Sequence, residues 1–548
     1  MSFLTFRSVP LVLLGATTSL SALTHALPTI ASHDNNFAPS EEIARQNDVH
    51  IFNAVHSAMR QWGSSLNHNG MSLILAAVPE GVLFYHGTHK PNPPPGPEWL
   101  AFEIEHSEGF SRPFRPPPPR PPPGDPPGPP PQFGAQVPMS MSDGADRGPP
   151  GERDGYLHIY RTTQPLHLLY VDGMGAGKTD MGTLDTQDLL LRGTREDVPW
   201  NEQGRASGLR NFTQSLGLNG IVRMEAGFEV IYCDFADGGI ELQSAYRRPE
   251  PEGPGNVGNR LRLFEYMRAV SQRYHGIGAG RAVLDFGSMV SAFWYPLNLT
   301  TPQNAGGELL PRLTGATEEQ LDAMRARVQE VTHDRLGKTY SEVDWQGVVD
   351  MIITRYADRL QFLATKVEDI DTLRGEVNNL LNIYIDYSQN DDRLERAVER
   401  CAEHYLPPLP TNHTQEDRFI LAAIRSVTAK ICSTLFQVRD LMVDPDADEG
   451  EAPTLALAAL RDLVHNLRWT NWKECPQPCE PDEVCFVAMW PFGDVASHEQ
   501  PTCRNVSVID RGGPSYWRHP SPPPYIVKMI SGGGDEKKKG VMRGPPGD

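Results

Sequence analysis

The stretch "LNGIVRMEAGFEVIYCDF", Leu218 to Phe235, decides how the first half of the chain folds. It is rich in β-branched and aromatic residues, which favour strands. Within "FEVIYCDF" the side chains alternate between two faces, with Glu229, Ile231 and Cys233 on one and Phe228, Val230 and Tyr232 on the other. One acidic residue early in a mostly apolar strand is unusual. Glu229 is therefore either a functional carboxylate or a strand-edge carboxylate that pairs with an arginine.

Further strand signals precede this stretch. They are the runs "SLILAAVPEGVLFYHGT", "PEWLAFEIEHSEGF", "GYLHIY" and "PLHLLYV". Apolar residues at steps of three and four predict an amphipathic helix from Ser40 to about Leu66, and a second helix is predicted near Asn201 to Leu216. The segment "RRPEPEGPGNVGN" is predicted to be a loop. The first half is thus a β-rich domain with some helices.

A proline-dense segment, Arg112 to Gln132, interrupts the β-rich half. Proline lacks the backbone donor that a helix or a central strand needs, so we expect an extended polyproline II loop insertion. The alternative is a ligand for a proline-binding module, but such modules are mostly intracellular.

The region from Thr317 to about Trp469 is predicted to be all-α. Thr317 and Gln320 form a capping box, and four helical stripes of apolar residues follow. The predicted fold class is α+β. A mixed or antiparallel β-rich domain (27–300) precedes a helical bundle (315–470), a disulfide-rich segment (471–510) and a disordered tail (511–548).

The first 26 residues have the pattern of a secretory signal peptide, with Arg7 before an apolar run and small residues at Thr24 and Ala26. We expect no later stretch to be long and apolar enough to span a bilayer, and no lipid-anchor signal is visible. Fifty basic and 69 acidic residues give a formal charge of −19, which disfavours nucleic acid and anionic membranes as partners. We therefore expect a soluble, extracellular protein.

Two further features are typical of secreted proteins. N-glycosylation sequons occur at Asn211, Asn298, Asn412 and Asn505. Two disulfides are expected among Cys475, Cys479, Cys485 and Cys503, with three pairings open, and a third between Cys401 and Cys432. Cys233 is left over, and we expect it to be a small buried apolar residue.

The glycine-rich segment "LLYVDGMGAGKTDMG", Leu168 to Gly182, raises the question of a phosphate-binding loop. The pattern G-x-x-x-x-G-K-[ST] requires glycine at position 172, but Asp172 stands there and would repel a phosphate. We predict a glycine turn without a nucleotide, carrying Lys178 at the surface.

No metal site is predicted. Asp444, Asp446 and Asp448 match the first ligand positions of a calcium loop, but Glu449 and Leu455 do not match the later ones. Histidine and carboxylate ligands would suit zinc, but the spacing of the available set matches no zinc pattern: His86, His89, Glu103 and His106.

The order of the β-rich pieces from about Gly70 to Phe235 resembles the ADP-ribosyltransferase fold. "LFYHGT" resembles the first strand of the diphtheria-toxin-like branch, which ends in HG[ST], and a later glycine-preceded strand carries the family's catalytic glutamate. The resemblance implies Glu229 as that glutamate, Glu225 as second choice, and His86 as the group that orients a ribose. It further implies NAD as substrate, held by Tyr85, Gly87, Thr88, Trp99 and Tyr156.

The chemistry that this resemblance implies is cleavage of the bond between nicotinamide and ribose, for which a carboxylate stabilises the oxocarbenium-like transition state. The product would be ADP-ribose on a secreted or host protein target, or free ADP-ribose. The whole chain also resembles uncharacterised secreted proteins of filamentous fungi. A non-enzymatic interaction or effector protein is the alternative, and it is favoured if His86 and Glu229, expected on adjacent strands, do not face one cleft.

Overall fold

A computed structural model describes residues 37–111, 154–195, 201–249, 257–299, 310–338, 342–367, 369–388, 392–443, 451–475, 477–506 and 516–517. The contacts between residues divide the chain into two units, Met1–Ala38 and Pro39–Asp548. Only Phe37 and Ala38 of the first unit are described. Several predictions fall outside the described residues: the signal peptide, the proline-rich insertion, Asp444 to Glu449, and most of the tail after Val506.

The predicted α+β class is confirmed, with a large mixed sheet in the first half and helices in the second. Within the described residues the sheet has nine strands: β1 (Asn69–Val78), β2 (Leu83–Thr88), β3 (Glu98–Ala101), β4 (Gly155–Thr162), β5 (Leu166–Gly173), β6 (Gly220–Met224), β7 (Phe228–Tyr232), β8 (Ile240–Arg248) and β9 (Val283–Ser291). Their spatial order is β8-β4-β2-β3-β7-β6-β5-β1-β9. Neighbouring strands are antiparallel except β5 and β6, which are parallel.

The stretch from Leu218 to Phe235 forms the hairpin of β6 and β7 near the middle of this sheet. All five residues of each strand are buried, as expected for a central hairpin covered on both faces. The register places Arg223 directly opposite Glu229. The charged residues of the hairpin are therefore held in the interior of the protein.

Thirteen α-helices occur in the described residues. Six belong to the first half: α1 (Glu41–Gln46), α2 (Asp48–Ser57), α3 (Gln61–Leu66), α4 (Ile104–Glu108), α5 (Glu202–Ser215) and α6 (Val257–Ser271). Seven follow: α7 (Glu318–Arg335), α8 (Trp345–Thr365), α9 (Ile370–Leu381), α10 (Arg393–Glu403), α11 (Gln415–Val443), α12 (Ala452–Leu467) and α13 (Val495–Glu499). The capping box of Thr317 and Gln320 is confirmed at the start of α7.

Two helix predictions need correction. The single helix expected from Ser40 to Leu66 is broken into α1, α2 and α3, with Met59 at a positive φ of 55° between the last two. Left-handed backbone cannot continue a right-handed helix, so the apolar periodicity persists while the helix does not. The loop predicted up to Asn259 is shorter than expected, because α6 begins at Val257.

Helix α11 corrects the expectation that no stretch after the N-terminus could span a bilayer. By length and hydropathy alone, Gln415–Met442 could cross a membrane, with a mean hydropathy of 1.5 in its most apolar window. However, 67% of that window is buried inside the protein. Its apolar positions pack against α2, α9, α10 and α12, as those of a core helix do.

The cysteines form the three expected bridges. Cys401 joins Cys432 between α10 and α11, and the open pairing at the C-terminal end is resolved as Cys475–Cys485 and Cys479–Cys503. The last two disulfides link the hairpin of β10 (Glu483–Phe486) and β11 (Thr502–Asn505) covalently to the segment that precedes it. Cys233 is buried and free. Asn211, Asn298 and Asn412 are exposed and Asn505 is half-buried, so glycosylation there stays a prediction.

Peptide mapping of the unreduced protein is expected to recover these three disulfide-linked pairs and one thiol, at Cys233. Alkylation should label Cys233 only after unfolding, because its side chain is buried and its Sγ lies 3.2 Å from the Thr213 hydroxyl. Alkylation of any of the other six cysteines without reduction would contradict the assignment.

Candidate functional site

Seven charged side chains meet in the interior beside the β6–β7 hairpin. We call them the buried charge cluster: Lys178, Asp188, Glu202, Arg205, Arg223, Glu225 and Glu229. They come from the turn after β5, the π-helical segment Thr186–Leu191, the start of α5, and the hairpin itself. Burying so many charges is costly unless each is paired, so the pairing defines what the cluster can do.

Arg223 lies at the centre of the cluster. Its Nε and Nη2 both lie 2.9 Å from Oε1 of Glu229, and Nη2 also donates to Glu202. Its Nη1 donates to the Gln187 side-chain oxygen at 3.2 Å. Glu229 is therefore a carboxylate held by a permanently charged guanidinium. An arginine-paired carboxylate was the alternative to catalysis, but we expected it at a strand edge, whereas Glu229 lies in a central strand.

Helix α5 supplies the second pair of charges. The Asn201 side chain caps this helix by accepting from the backbone of Gly204 at 3.0 Å, which places Glu202 in the first turn. Arg205, one turn later, donates to Glu202 at 2.8 Å and to both oxygens of Asp188 at 2.9 Å. Burial raises the pKa of Glu202, but Arg223, Lys178 and Arg205 outweigh it and bring that pKa well below its usual value.

Lys178 is not at the surface, which corrects the sequence prediction. Only 1% of its side chain is exposed, and its Nζ lies 3.7 Å from Glu202 and 3.7 Å from Glu225. The turn can enter the core because Gly173 has a φ of +71° and lies so close to Gly70 that a Cβ would come within 2.3 Å of the Gly70 nitrogen. The Trp490 ring covers the ammonium at 4.9 Å.

Millimolar ATP is expected to leave the melting temperature unchanged. Lys178 is buried between Glu202 and Glu225, at 3.7 Å from each, and buried Asp172 at the mouth of the turn accepts a hydrogen bond from Gly173 at 2.8 Å. Differential scanning fluorimetry checks this. A rise with ATP that disappears in Lys178→Ala would contradict it.

The two candidate glutamates differ in their surroundings. Oε2 of Glu225 has no hydrogen-bond partner, and its nearest cation is Lys178. Burial raises the pKa of Glu225 to about 8, with the charge of Glu229 adding to the rise and that of Lys178 opposing it. Glu225 therefore keeps its proton to a higher pH than an ordinary glutamate, whereas Glu229 is paired with Arg223. Unequal environments of this kind separate an acid from a carboxylate in one site.

His106 on α4 is the third member of this group. Its Nε2 lies 4.0 Å from Oε2 of Glu229, and neither ring nitrogen has a hydrogen-bond partner. The ring stacks between Trp99 at 5.7 Å and Tyr266 at 5.2 Å. Burial lowers the pKa of His106, so its imidazole is neutral at pH 7. Two unpaired nitrogens on a neutral buried imidazole are unusual, and they make His106 a candidate ligand-binding group.

His86 does not lie on a strand adjacent to that of Glu229, contrary to expectation, because β3 separates β2 from β7. The register aligns Tyr85, and not His86, with Ala101 and Glu229. His86 is buried, with Nδ1 at 2.9 Å from the Trp99 carbonyl, and its ring contacts that of Trp99 at 5.1 Å. Burial lowers its pKa to about 3. Trp99 thus connects His86 to His106, and His106 lies beside Glu229, where His86 was expected.

The residues proposed to hold NAD are spread along β2, β3 and β4. Trp99 is buried with an unpaired indole nitrogen, whereas Tyr85 and Tyr156 are half-buried. Thr88 and Tyr156 face each other across β2 and β4. Gly87 lies against α4, where a Cβ would come within 2.3 Å of the Ser107 carbonyl oxygen. Only a residue without a side chain fits at this position.

A metal ion is another ligand that His106, Glu225 and Glu229 could hold by geometry. Single ligand atoms of His106, Glu225 and Glu229 all lie within 4.8 Å of one another. The cluster, however, already contains three cations, and with Glu225 protonated these balance its three remaining carboxylates. Among the other zinc candidates, Glu103 pairs with Arg273 and Arg281. We therefore assign no metal to the group.

The sequence profile of a family described as the YPL277C N-terminal domain matches residues 32–117 and 136–253. Two proteins of Saccharomyces cerevisiae are similar. The uncharacterized protein YOR389W is 26% identical over 83% of this chain and 84% of its own length. The uncharacterized protein YPL277C is 30% identical over 41% of this chain and 48% of its own length. No solved structure matches. The profile match contains every member of the cluster.

Proposed function

We propose that the protein is a secreted, glycosylated enzyme that cleaves the nicotinamide–ribose bond of NAD at Glu225, Glu229 and His106, in a domain of ADP-ribosyltransferase type. One observation carries the proposal. Oxygens of Glu225 and Glu229 lie within 4.8 Å of each other, yet the Glu229 carboxylate is paired with Arg223, whereas burial raises the pKa of Glu225 to about 8. Carboxyl pairs about 5–5.5 Å apart act together on one glycosidic bond in retaining glycosidases.

Glu229 stabilises the developing charge in this mechanism. As the C1′–N bond breaks, its electron pair leaves with neutral nicotinamide and positive charge develops on the ribose. The Glu229 carboxylate, fixed by Arg223 at 2.9 Å, needs no reorganisation to stabilise that charge. Water, or a nucleophile of a target protein, then attacks C1′ and gives up its proton, which Glu229 accepts and releases to solvent.

Glu225 and His106 orient the substrate. Protonated Glu225 donates its O–H to a ribose hydroxyl, and Lys178 at 3.7 Å fixes the position of the carboxyl group. Neutral His106 offers one donor and one acceptor to the substrate, because neither nitrogen is engaged within the protein. His86 and Trp99 then support His106 and do not contact the reacting atoms.

The alternative is a non-enzymatic secreted interaction or effector protein with a structural charge cluster. It is favoured by the separation of His86 from Glu229, whose strands are not adjacent as the mechanism required. It is also favoured by the burial of the cluster, since Lys178, Arg223 and Glu229 are each at most 1% exposed and Trp490 covers Lys178. For NAD to reach Glu229, the segment that carries Trp490 would have to move. The two candidates therefore differ in whether the site opens.

Incubation of the purified protein with NAD, followed by chromatography of nicotinamide, tests the proposal. Wild-type protein is expected to release nicotinamide, and Trp490→Ala, which removes the ring that lies over Lys178, to release it faster. If neither releases nicotinamide while both unfold cooperatively on heating, the enzyme is excluded and the interaction protein remains.

A further inference from the structure

A cavity of about 670 Å³ lies away from the buried charge cluster and shares no lining residue with it. One wall is the end of α6 and the turn after it, from Arg268 to His275, together with Trp62 of α3. The opposite wall is the disulfide-rich segment from Glu474 to Cys485. The volume is in the range of cavities that hold small ligands.

Aromatic side chains line the wall formed by α3, the end of α6 and the turn after it. The Trp62 indole is only 3% exposed, and its Nε1 donor has no hydrogen-bond partner. The Tyr274 ring meets that of Trp62 edge-on at 5.8 Å, and the His275 ring meets that of Tyr274 at 4.6 Å. A buried indole that lines a cavity without a partner for its N–H indicates a ligand that accepts a hydrogen bond.

The charges around the cavity exclude anionic ligands. Three carboxylates line it, from Glu474, Glu480 and Glu483, against a single permanent cation, Arg268. Arg268 is already engaged, because its Nη2 donates to the Pro481 carbonyl at 3.1 Å. A phosphate or a carboxylate would therefore meet repulsion here. NAD, with its pyrophosphate, does not fit this cavity.

The remaining polar groups suit a ligand that both donates and accepts. The carboxylates accept hydrogen bonds, and the exposed amides of Gln272 and Gln477 do both. Sugars carry hydroxyl groups that donate and accept, together with C–H faces that pack on aromatic rings such as Tyr274. The combination of ring faces, amides and carboxylates thus matches a neutral, hydroxyl-rich molecule.

The opposite wall, the disulfide-rich segment from Glu474 to Cys485, is held in place covalently. Cys475–Cys485 lies within it, and Cys479–Cys503 ties it to the β10–β11 hairpin. A wall fixed before binding loses little conformational entropy when a ligand arrives. We infer that this cavity is a binding site for a neutral oligosaccharide of a few units, independent of the reaction proposed for the buried charge cluster.

Isothermal titration calorimetry of the intact, oxidised protein with laminaritriose, chitotriose and maltotriose tests the inference. At least one of them is expected to bind. The double variant Gln272→Ala/Gln477→Ala should weaken its binding by about tenfold or more, since two hydrogen-bonding amides are lost. Gln243→Ala on β8 also removes an exposed amide, but one outside the cavity, and should bind like the wild type.

Trp62→Phe tests the indole donor separately. It keeps an aromatic ring, and it should weaken binding of the same sugar while the heat-induced unfolding stays cooperative. The inference is overturned if none of the three sugars binds at millimolar concentration, or if binding is equal in the wild type and the double variant. Binding of spermine in place of the sugars would also overturn it, because the carboxylates would then be a cation site.

Discussion

Arg223→Met is expected to destabilise the protein by about 3–5 kcal/mol, the cost of removing one partner from a buried ion pair. The Arg223 side chain is 0% exposed, and it holds Glu229, also 0% exposed, together with Glu202. Methionine fills a similar volume, so the loss is mainly electrostatic. The carboxylates of Glu202 and Glu229 would lose their shared guanidinium, and Lys178 and Arg205 would be the cations of the cluster that remain near them.

Urea unfolding of the two proteins, followed by circular dichroism, measures this difference. The matched control is Arg247→Met, because Arg247 also lies on a strand and bonds Asp154 at 2.6 Å, but its side chain is 70% exposed. Little change is expected there, since exposed ion pairs contribute little. Equal stabilities of wild type and Arg223→Met would show that the cluster is not held by Arg223.

Glu229→Gln is expected to lower the rate of nicotinamide release by roughly a hundred- to a thousand-fold, the usual cost of one preorganised electrostatic contact in the transition state. Glutamine keeps the shape and one acceptor oxygen for the 2.9 Å contact with Arg223, but it loses the negative charge. Single-turnover measurement at saturating NAD would place the loss in the chemical step and not in binding.

Glu416→Gln is the control for Glu229→Gln. Glu416 is likewise a buried glutamate bonded to an arginine, with its side chain 3% exposed beside Arg327, but it lies on α11 outside the sheet. Its rate should equal that of the wild type. If Glu229→Gln remains folded and keeps the full rate, Glu229 is a structural partner of Arg223 only.

The fold was predictable where burial leaves a periodic pattern. The helix stripes of the second half and the buried strands β5, β6 and β7 were recognised from their apolar residues. Strand β8 is not predictable in this way, because it is an edge of the sheet and edge strands carry a weaker signal. Strand β9, at the other edge, is also missed, although seven of its nine residues are buried. In β8 only Ile240 is fully buried, so its sequence has no clear alternation.

The site was only partly predictable for a different reason. Glu225 and Glu229 stand out locally, as carboxylates in an apolar hairpin. Lys178 and Glu202 join them only through tertiary packing, which no local spacing encodes. The choice of His86 over His106 depended on strand order, and the sequence did not reveal that β3 lies between β2 and β7. The pairing of Arg223 with Glu229 could have been predicted, because the two residues lie opposite each other in one hairpin and side chains alternate between faces along both strands.

Infrared difference spectroscopy of the wild type against Glu225→Gln tests most directly whether the two glutamates differ in protonation. Asp172→Asn is needed beside it, because burial also raises the pKa of Asp172, to about 7. A protonated-carboxyl band that is absent from Glu225→Gln and present in Asp172→Asn is expected at pH 6–7, fading with a midpoint near pH 8. If Glu225→Gln has the same spectrum as the wild type across this range, Glu225 is ionised and the proposed division between a proton donor and a carboxylate is wrong.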